Sequence, residues 1–320
     1  MAKNSIRYGL LFLGALFTWW LLSDTQRTVT NEYPASSHHA AAGFRNLHTK
    51  NDHGLLQELR WHLGLGPKET PDFPQIEVPA YVPDVVKPDL ESIRHPDPSK
   101  IQITWIGQAS FLIQVGGMNI LTDPMFSDRA TPFSFLGPKR VAPPGILLRD
   151  LPPVHAVIIS HSHYDHLDAP TVRKLGNTPF YFVPLGLAAW FAEEGITNVT
   201  ELDWWGEARM GPLTIIAVPA QHFSARTLFD RNKTLWAGWV IRAKAGTIFF
   251  AGCSGYAPEF GEIGRKLGPI RISLLPIGGY RPRWFMRAMH MDPPRSGAGS
   301  PGPGLRRVHC HALGDVQAHR

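Results

Sequence analysis

The sequence predicts a mixed α/β fold built on at least one large sheet, and three observations predict it. Short apolar, β-branched runs alternate with short helical patterns along residues 101–294. Gly 30 and Pro 29 in a chain of 320 residues exceed the usual share and favour many loops over a helical bundle. Hydrophobic residues at 43% and charged residues at 18% exclude a disordered chain. The two cysteines, Cys253 and Cys310, exclude a disulfide scaffold and a cysteine-built zinc ribbon. A net charge of +6 is compatible with an anionic substrate or a membrane surface and does not by itself indicate nucleic acid. The unusual count is fifteen histidines, and their positions carry the functional reading.

At the amino terminus, Lys3 and Arg7 precede an apolar run over 8–22 that carries Trp19-Trp20 near its end. A helix of that length spans roughly 22 Å, short of a ~30 Å hydrocarbon core without help from its flanks. The expectation for 1–27 is an uncleaved signal anchor, with a cytoplasmic amino terminus and an exported body. A cleaved signal is the competing reading, although no small-x-small site follows directly. A plain buried helix is the third. Residues 28–100 hold a His-Ala patch at 38–42, a short amphipathic stretch at 55–65 and a proline-spaced segment at 67–98. That last segment reads as an extended lead-in on a domain surface with little secondary structure of its own, and 28–100 as a whole as an extended lead-in region.

From Ile101 the texture changes. ITWIGQASFLIQV and ILTDP, separated by GGMN, read as two strands joined by a Gly-Gly turn. VHAVIIS (154–160) is almost wholly apolar, as expected of a strand buried on both faces. Helical patterns follow at 170–175 and 186–194, and strands at 213–218, 236–242, 247–251 and 272–276. Directly after the 154–160 strand, HSHYDHLD puts His161, His163, Asp165 and His166 within six residues. Residues i and i+2 of an extended backbone point the same way, so His161 and His163 can face one point and the following turn can bring Asp165 and His166 to a neighbouring one. Imidazole and carboxylate are the ligands of a zinc ion that keeps a position open for water. The alternative is a polar loop that happens to be His-rich.

This HxHxDH run resembles the signature of the metallo-β-lactamase superfamily. WIGQASFLIQ, ILTDPMFSDRATP, GPKRVAPPGI, PAQHFSAR and YRPRWFMRAMHMDP narrow the similarity to the branch containing N-acylphosphatidylethanolamine-hydrolysing phospholipase D, over roughly residues 100–293. The resemblance implies an αββα sandwich with two zinc ions at one edge. It implies that His161, His163 and His222 hold one zinc, and that Asp165 and His166, with a last histidine near the carboxyl end, hold the second. Two such ions can hold a hydroxide and clamp a phosphodiester. Asp165 and His290 are the candidate catalytic residues; His290 would contact substrate or support a ligand, or else be a packed or solvated side chain. Asp123 in LTDP is either a support for a ligand histidine or a turn aspartate. Where the family has a bridging aspartate, in a context like FAGDTGY, this chain reads FAGCSGY, so Cys253 takes that position. A thiolate binds zinc well but lacks the two oxygens with which a carboxylate reaches both ions. Weakened or lost occupancy of one site is the expectation, a tolerated exchange the alternative.

After Pro294 the sequence runs RSGAGSPGPGLRRVHCHALGDVQAHR, where the family would have a helix and a strand ending like AIHWGTF. Read one nucleotide downstream, codons compatible with this stretch permit Ser-Ile-Ala-Met-His-Trp-Gly-Thr-Phe, whose histidine overlaps Ala312 and Leu313. The expectation is a frameshift near 293–297, a sandwich incomplete at its carboxyl end, and a disordered tail over 295–320 in which His309 and His311 are not replacement ligands. The domain reading is therefore anchor 1–27, lead-in 28–100, hydrolase domain 101–294 and tail 295–320.

The leading functional expectation is an exported, membrane-anchored, zinc-dependent phosphodiesterase of phospholipase D type acting on N-acylphosphatidylethanolamine-like lipids. Its partners would be a phospholipid or other anionic ester and the membrane, with no nucleic acid. A lactonase, a nuclease or another hydrolase of the fold is the second reading, because a fold does not fix its chemistry. A catalytically impaired remnant is the third. The aromatic pairs Trp190-Phe191, Trp204-Trp205 and Trp284-Phe285 are read as ordinary core in preference to acyl-chain contacts.

Overall fold

The structure is a computed structural model that describes residues 36–49, 86–133, 135–227, 229–298 and 307–311, with isolated residues at 57, 60, 63, 65 and 67. The expected anchor at 1–27 lies outside the described residues. Among the described residues no helix is long and apolar enough to cross a membrane.

Two six-stranded sheets form the body, each with its strands in sequence order. The first holds β3 (Ile101–Gly107), β4 (Ser110–Val115), β5 (Met118–Thr122), β6 (Ala156–Ile158), β7 (Phe180–Pro184) and β8 (Val199–Leu202). Its first three strands are antiparallel and the rest parallel. The second holds β9 (Glu207–Met210), β10 (Leu213–Val218), β11 (Gly238–Ala243), β12 (Gly246–Phe250), β13 (Ile270–Pro276) and β14 (Arg307–His311). The expected Gly-Gly turn is present: Val115 pairs with Met118 across Gly116 and Gly117, both at positive φ (59° and 77°), which glycine adopts without steric cost.

Period-2 alternation builds the layers. Ala156 and Ile158 of β6 enter a core shared with Leu213, Ile215 and Ala217 of β10, Trp239 and Ile241 of β11, and Phe250 of β12; this core lies between the sheets. The intervening Val157 and Ile159 point the other way, against Val172 of α2 (Ala169–Leu175) and Trp190 and Phe191 of α3 (Ala188–Glu193). On the far side, Ile216, Val240 and Phe249 pack on Phe260 and Ile263 of α4 (Glu259–Leu267). The layers are therefore αββα, as the resemblance implies. Each fully buried aliphatic or Phe side chain in them contributes about 1.5–3 kcal/mol. Trp190, Phe191, Trp204 and Phe285 are buried, in accord with their reading as core.

Two expectations need correction. The region 28–100 is not merely extended. Its hairpin β1 (His39–Ala40) and β2 (Gly43–Phe44) inserts Phe44 into the core between the sheets, and the Phe44 amide donates to Asn232 O at 2.8 Å. Further on, α1 (Leu90–Arg94) forms within the proline-spaced segment because the Asp89 side chain caps it, accepting from Ser92 N, while Ile93 packs into the outer core. The second correction concerns the tail. A short helix α5 (Arg283–Met286) is followed by α6 (Pro293–Ala298), which starts on two prolines with Asp292 accepting from the Arg295 amide. β14 then pairs in parallel with β13, Ile272 with Arg307 through Pro276 with His311. The open edge of β13 offers unpaired backbone groups that recruit a strand.

Candidate metal centre

Each candidate ligand, like the supporting Asp123, sits just past the carboxyl end of a strand, at one edge of the sandwich. Asp123 follows β5, the His161–His166 loop follows β6, His222 follows β10 and Cys253 follows β12. The two sheets meet here through Ala237 N, which donates to Ser160 O at 2.9 Å. Gly252 (φ 60°) permits the approach: a Cβ there would stand 2.5 Å from the Ser160 Cβ.

Two triplets of ligand atoms result, His161–His163–His222 and His161–His166–Cys253, each with its atoms within 4.8 Å of one another. His161 Nε2 is 2.8 Å from His163 Nδ1, which is 3.4 Å from His222 Nε2, and Cys253 Sγ is 3.2 Å from His166 Nε2. The first triplet is the set expected for one ion. In the second, His161 takes part beside His166 and Cys253. Asp165 falls outside both triplets, although its Oδ2 lies 3.3 Å from His166 Nε2. His290 is half-buried, its ring 5.2 Å from that of His222.

The surrounding hydrogen bonds fix these rings. Asp123, fully buried, accepts from Ser160 N on Oδ1 and from Ser160 Oγ and His166 Nδ1 on Oδ2, all at 2.6 Å. The support role for Asp123 thus has a geometry, with the Nε2 face of His166 turned to Cys253. Ser160 Oγ also reaches His161 Nδ1 at 2.8 Å, and Met289 O faces His222 Nδ1 at 3.1 Å. Several of the supporting residues escape local sequence reasoning. Gln108, in the β3–β4 turn, donates to Asp165 Oδ2 at 2.7 Å; a polar residue between two apolar strands is its only local signal. Asn46 donates to His222 O and accepts from His222 N, at 2.8 and 3.1 Å, from 176 residues away. Arg226 donates to Ser162 O and Leu167 O, both at 2.8 Å, with Tyr164 and Trp190 against its guanidinium. Asn46 carries no local signal; Arg226 closes the PAQHFSAR segment, which marks the residue but not its role.

Burial, then the neighbouring imidazoles, holds His161 and His222 well below the ordinary histidine range. Burial also lowers His163 to about 3 against the opposing pull of Asp165. His166 goes the other way: burial would lower it, but Cys253, Asp165 and Asp123 together raise it well above 6.5. Burial would raise Asp165 and Cys253, yet His166 outweighs it and lowers both. The edge therefore presents three neutral imidazoles beside a proton-sharing cysteine–histidine pair. Imidazole nitrogen with thiolate sulfur suits a borderline-soft divalent metal, and the residues present fit one.

The profile of the Beta-lactamase superfamily domain matches residues 118–300, more than half of the chain, and the chain belongs to that family. An N-acyl-phosphatidylethanolamine-hydrolyzing phospholipase D 1 of Caenorhabditis elegans is 42% identical over 203 residues, covering 59% of this chain and 57% of its own. A UPF0173 metal-dependent hydrolase of Methanopyrus kandleri is 30% identical over 182 residues, covering 56% of this chain and 72% of its own. The chain spans about half the length of the phospholipase-like relatives it matches. Among solved structures, an isothiocyanate hydrolase from Delia radicum gut bacteria aligns with a TM-score of 0.56 at 20% identity, covering 67% of this chain and 85% of that one, a likeness of fold.

Proposed function

We propose that this chain is a zinc-dependent hydrolase, a phosphodiesterase of phospholipase D type acting on N-acylphosphatidylethanolamine-like lipids. The observation that carries the reading is the gathering of His161, His163, His166, His222 and Cys253 at one sandwich edge. The relative that acts on such lipids supports the substrate class. The sulfur of Cys253 favours zinc over magnesium or calcium. A metal bound there supplies an activated water and polarises the phosphoryl oxygen. Of the chain's own groups, Asp165, aligned by Gln108, accepts a hydrogen bond from the attacking water and orients it. His290, beside His222, orients the substrate head group. Water attacks phosphorus and the N-acylethanolamine oxygen leaves with a proton, giving phosphatidic acid. The apolar run at 8–22, as an anchor, would keep the exported domain at its lipid surface.

The test is release of phosphatidic acid from vesicles containing N-acylphosphatidylethanolamine, with zinc, beside lactone and nucleic-acid substrates. Turnover of a lactone or nucleic acid without the lipid would replace this reading with the second one. The third reading, an impaired enzyme, is favoured by one observation: Cys253 reaches His166 through a single sulfur, where a carboxylate would present two oxygens. It predicts no turnover of any of these substrates.

A further inference from the structure

A second cluster of ligand atoms lies outside the centre described above. His38 and His39 of the amino-terminal segment converge on Asp203, on the turn between β8 and β9. His38 Nε2 lies 2.6 Å from Asp203 Oδ1, and His39 Nε2 lies 3.1 Å from Asp203 Oδ2. All three ligand atoms fall within 4.8 Å of one another, a spacing comparable to that of the His161–His163–His222 triplet. Consecutive residues of an extended strand point to opposite faces. Here the turn closed by His39 N on Ser36 O breaks that alternation and delivers both rings to one carboxylate.

The rings are held in place. His38 is buried, stacks on Trp204 at 4.1 Å, and has its Nδ1 2.9 Å from Ser36 Oγ. A partner on the far nitrogen is what fixes a ligating imidazole with its other nitrogen free for a metal. The His39 ring packs edge-on to His38 at 4.5 Å and to Phe44 at 5.3 Å. Asp203 takes the Trp204 amide on Oδ1 at 2.7 Å, which orients the carboxylate. Asp203 is about a third exposed and His39 is mostly buried, so the carboxylate is the side of the cluster that meets water.

We infer that His38, His39 and Asp203 form a second divalent transition-metal site, which staples the amino-terminal hairpin to the sandwich. Two imidazoles and a carboxylate with an open fourth position make a zinc-type donor set. The hairpin leads through Phe44 to Asn46, which holds both backbone groups of His222. A metal here steadies the catalytic edge from outside it. The inference does not depend on which substrate the main centre takes.

The test counts zinc in the purified full chain after dialysis against metal-free buffer. In a His161→Ala/His163→Ala background, which removes ligands from both triplets of the main centre, addition of His39→Ala is expected to remove one further zinc per chain. It should also abolish the zinc-dependent rise in thermal midpoint. His39→Cys, which supplies another zinc ligand, is expected to restore both, separating ligation from loss of a hydrogen-bonded clamp. Equal zinc content with and without His39→Ala would overturn the site. So would failure of His39→Cys to retain the metal while the chain stays folded by circular dichroism.

Discussion

Replacing Asp123 by asparagine is the sharpest probe of the metal centre, because the change is nearly isosteric and removes only charge and one acceptor. Three donors, Ser160 N–H, Ser160 Oγ–H and His166 Nδ1–H, meet its two oxygens at 2.6 Å. Its positive φ of 35° is one that asparagine tolerates, so the backbone does not confound the result. An asparagine keeps one oxygen and turns an NH2 group on the donors at the other. If that group faces His166, the ring can no longer donate from Nδ1 and is left with a proton only on Nε2, the nitrogen that faces Cys253. Metal binding then has to reverse that tautomer. Loss of such an outer partner costs 10–100-fold in metal affinity, about 1.4–2.7 kcal/mol. Loss of one buried, charge-assisted hydrogen bond lowers metal-free stability by about 1.5–3 kcal/mol. Competition with a chromophoric chelator reads the first quantity and the urea midpoint the second. Zinc affinity within twofold of the unchanged protein would show that Asp123 does not orient His166 and would refute the argument.

Other consequences follow from the same geometry. Cys253→Asp is expected to raise bound zinc toward two per chain and to increase turnover, read by elemental analysis and lipid hydrolysis; no gain in either would mean that sulfur serves as well as a carboxylate. Arg226→Ala leaves the Ser162 and Leu167 carbonyls without their donor and is expected to lower the urea midpoint by an amount equivalent to about 3 kcal/mol and to weaken zinc binding, while Arg226→Lys recovers part of both. Zinc uptake near neutral pH is expected to release about one proton, because the Cys253–His166 pair holds one to lose, while His161, His163 and His222 are already neutral. Affinity therefore rises with pH through the raised His166 pKa and levels off above it; calorimetry in buffers of different ionisation enthalpy measures the proton, and release of three or more would contradict the depressed histidines.

Much of the architecture is legible where apolar periodicity is strong. The run at 213–218 is β10, and 154–160 contains β6, with alternate residues in different cores. Strands β8 and β9 leave little trace, because both are four-residue edge strands: VTEL shows no alternation, and the alternation of EARM is too short to stand out. The helix α4 is hidden by two glycines, and its buried residues include only Phe260 and Ile263 as hydrophobic anchors. At the site, HSHYDHLD declares itself because its ligands are adjacent in sequence. His222 and Cys253 were found by resemblance to the family's motifs. The roles of Asn46 and Arg226 could not be read locally, since their partners are 176 and about 60 residues away. The tail shows the opposite error. Its composition suggested no structure, yet the open edge of β13 and the Asp292 cap are features of the neighbouring chain that composition does not register.

Each sheet is woven from one continuous stretch of chain, and the metal ligands are divided between the two stretches. His161, His163 and His166 belong to the first half, His222 and Cys253 to the second. A metal ion at this edge is therefore a bolt across the seam between two halves that share one core. By linkage, whatever loosens that seam must release the ion, and the ion must tighten the seam by the same free energy. In this molecule, metal affinity and the hold of one half on the other are two readings of one linkage.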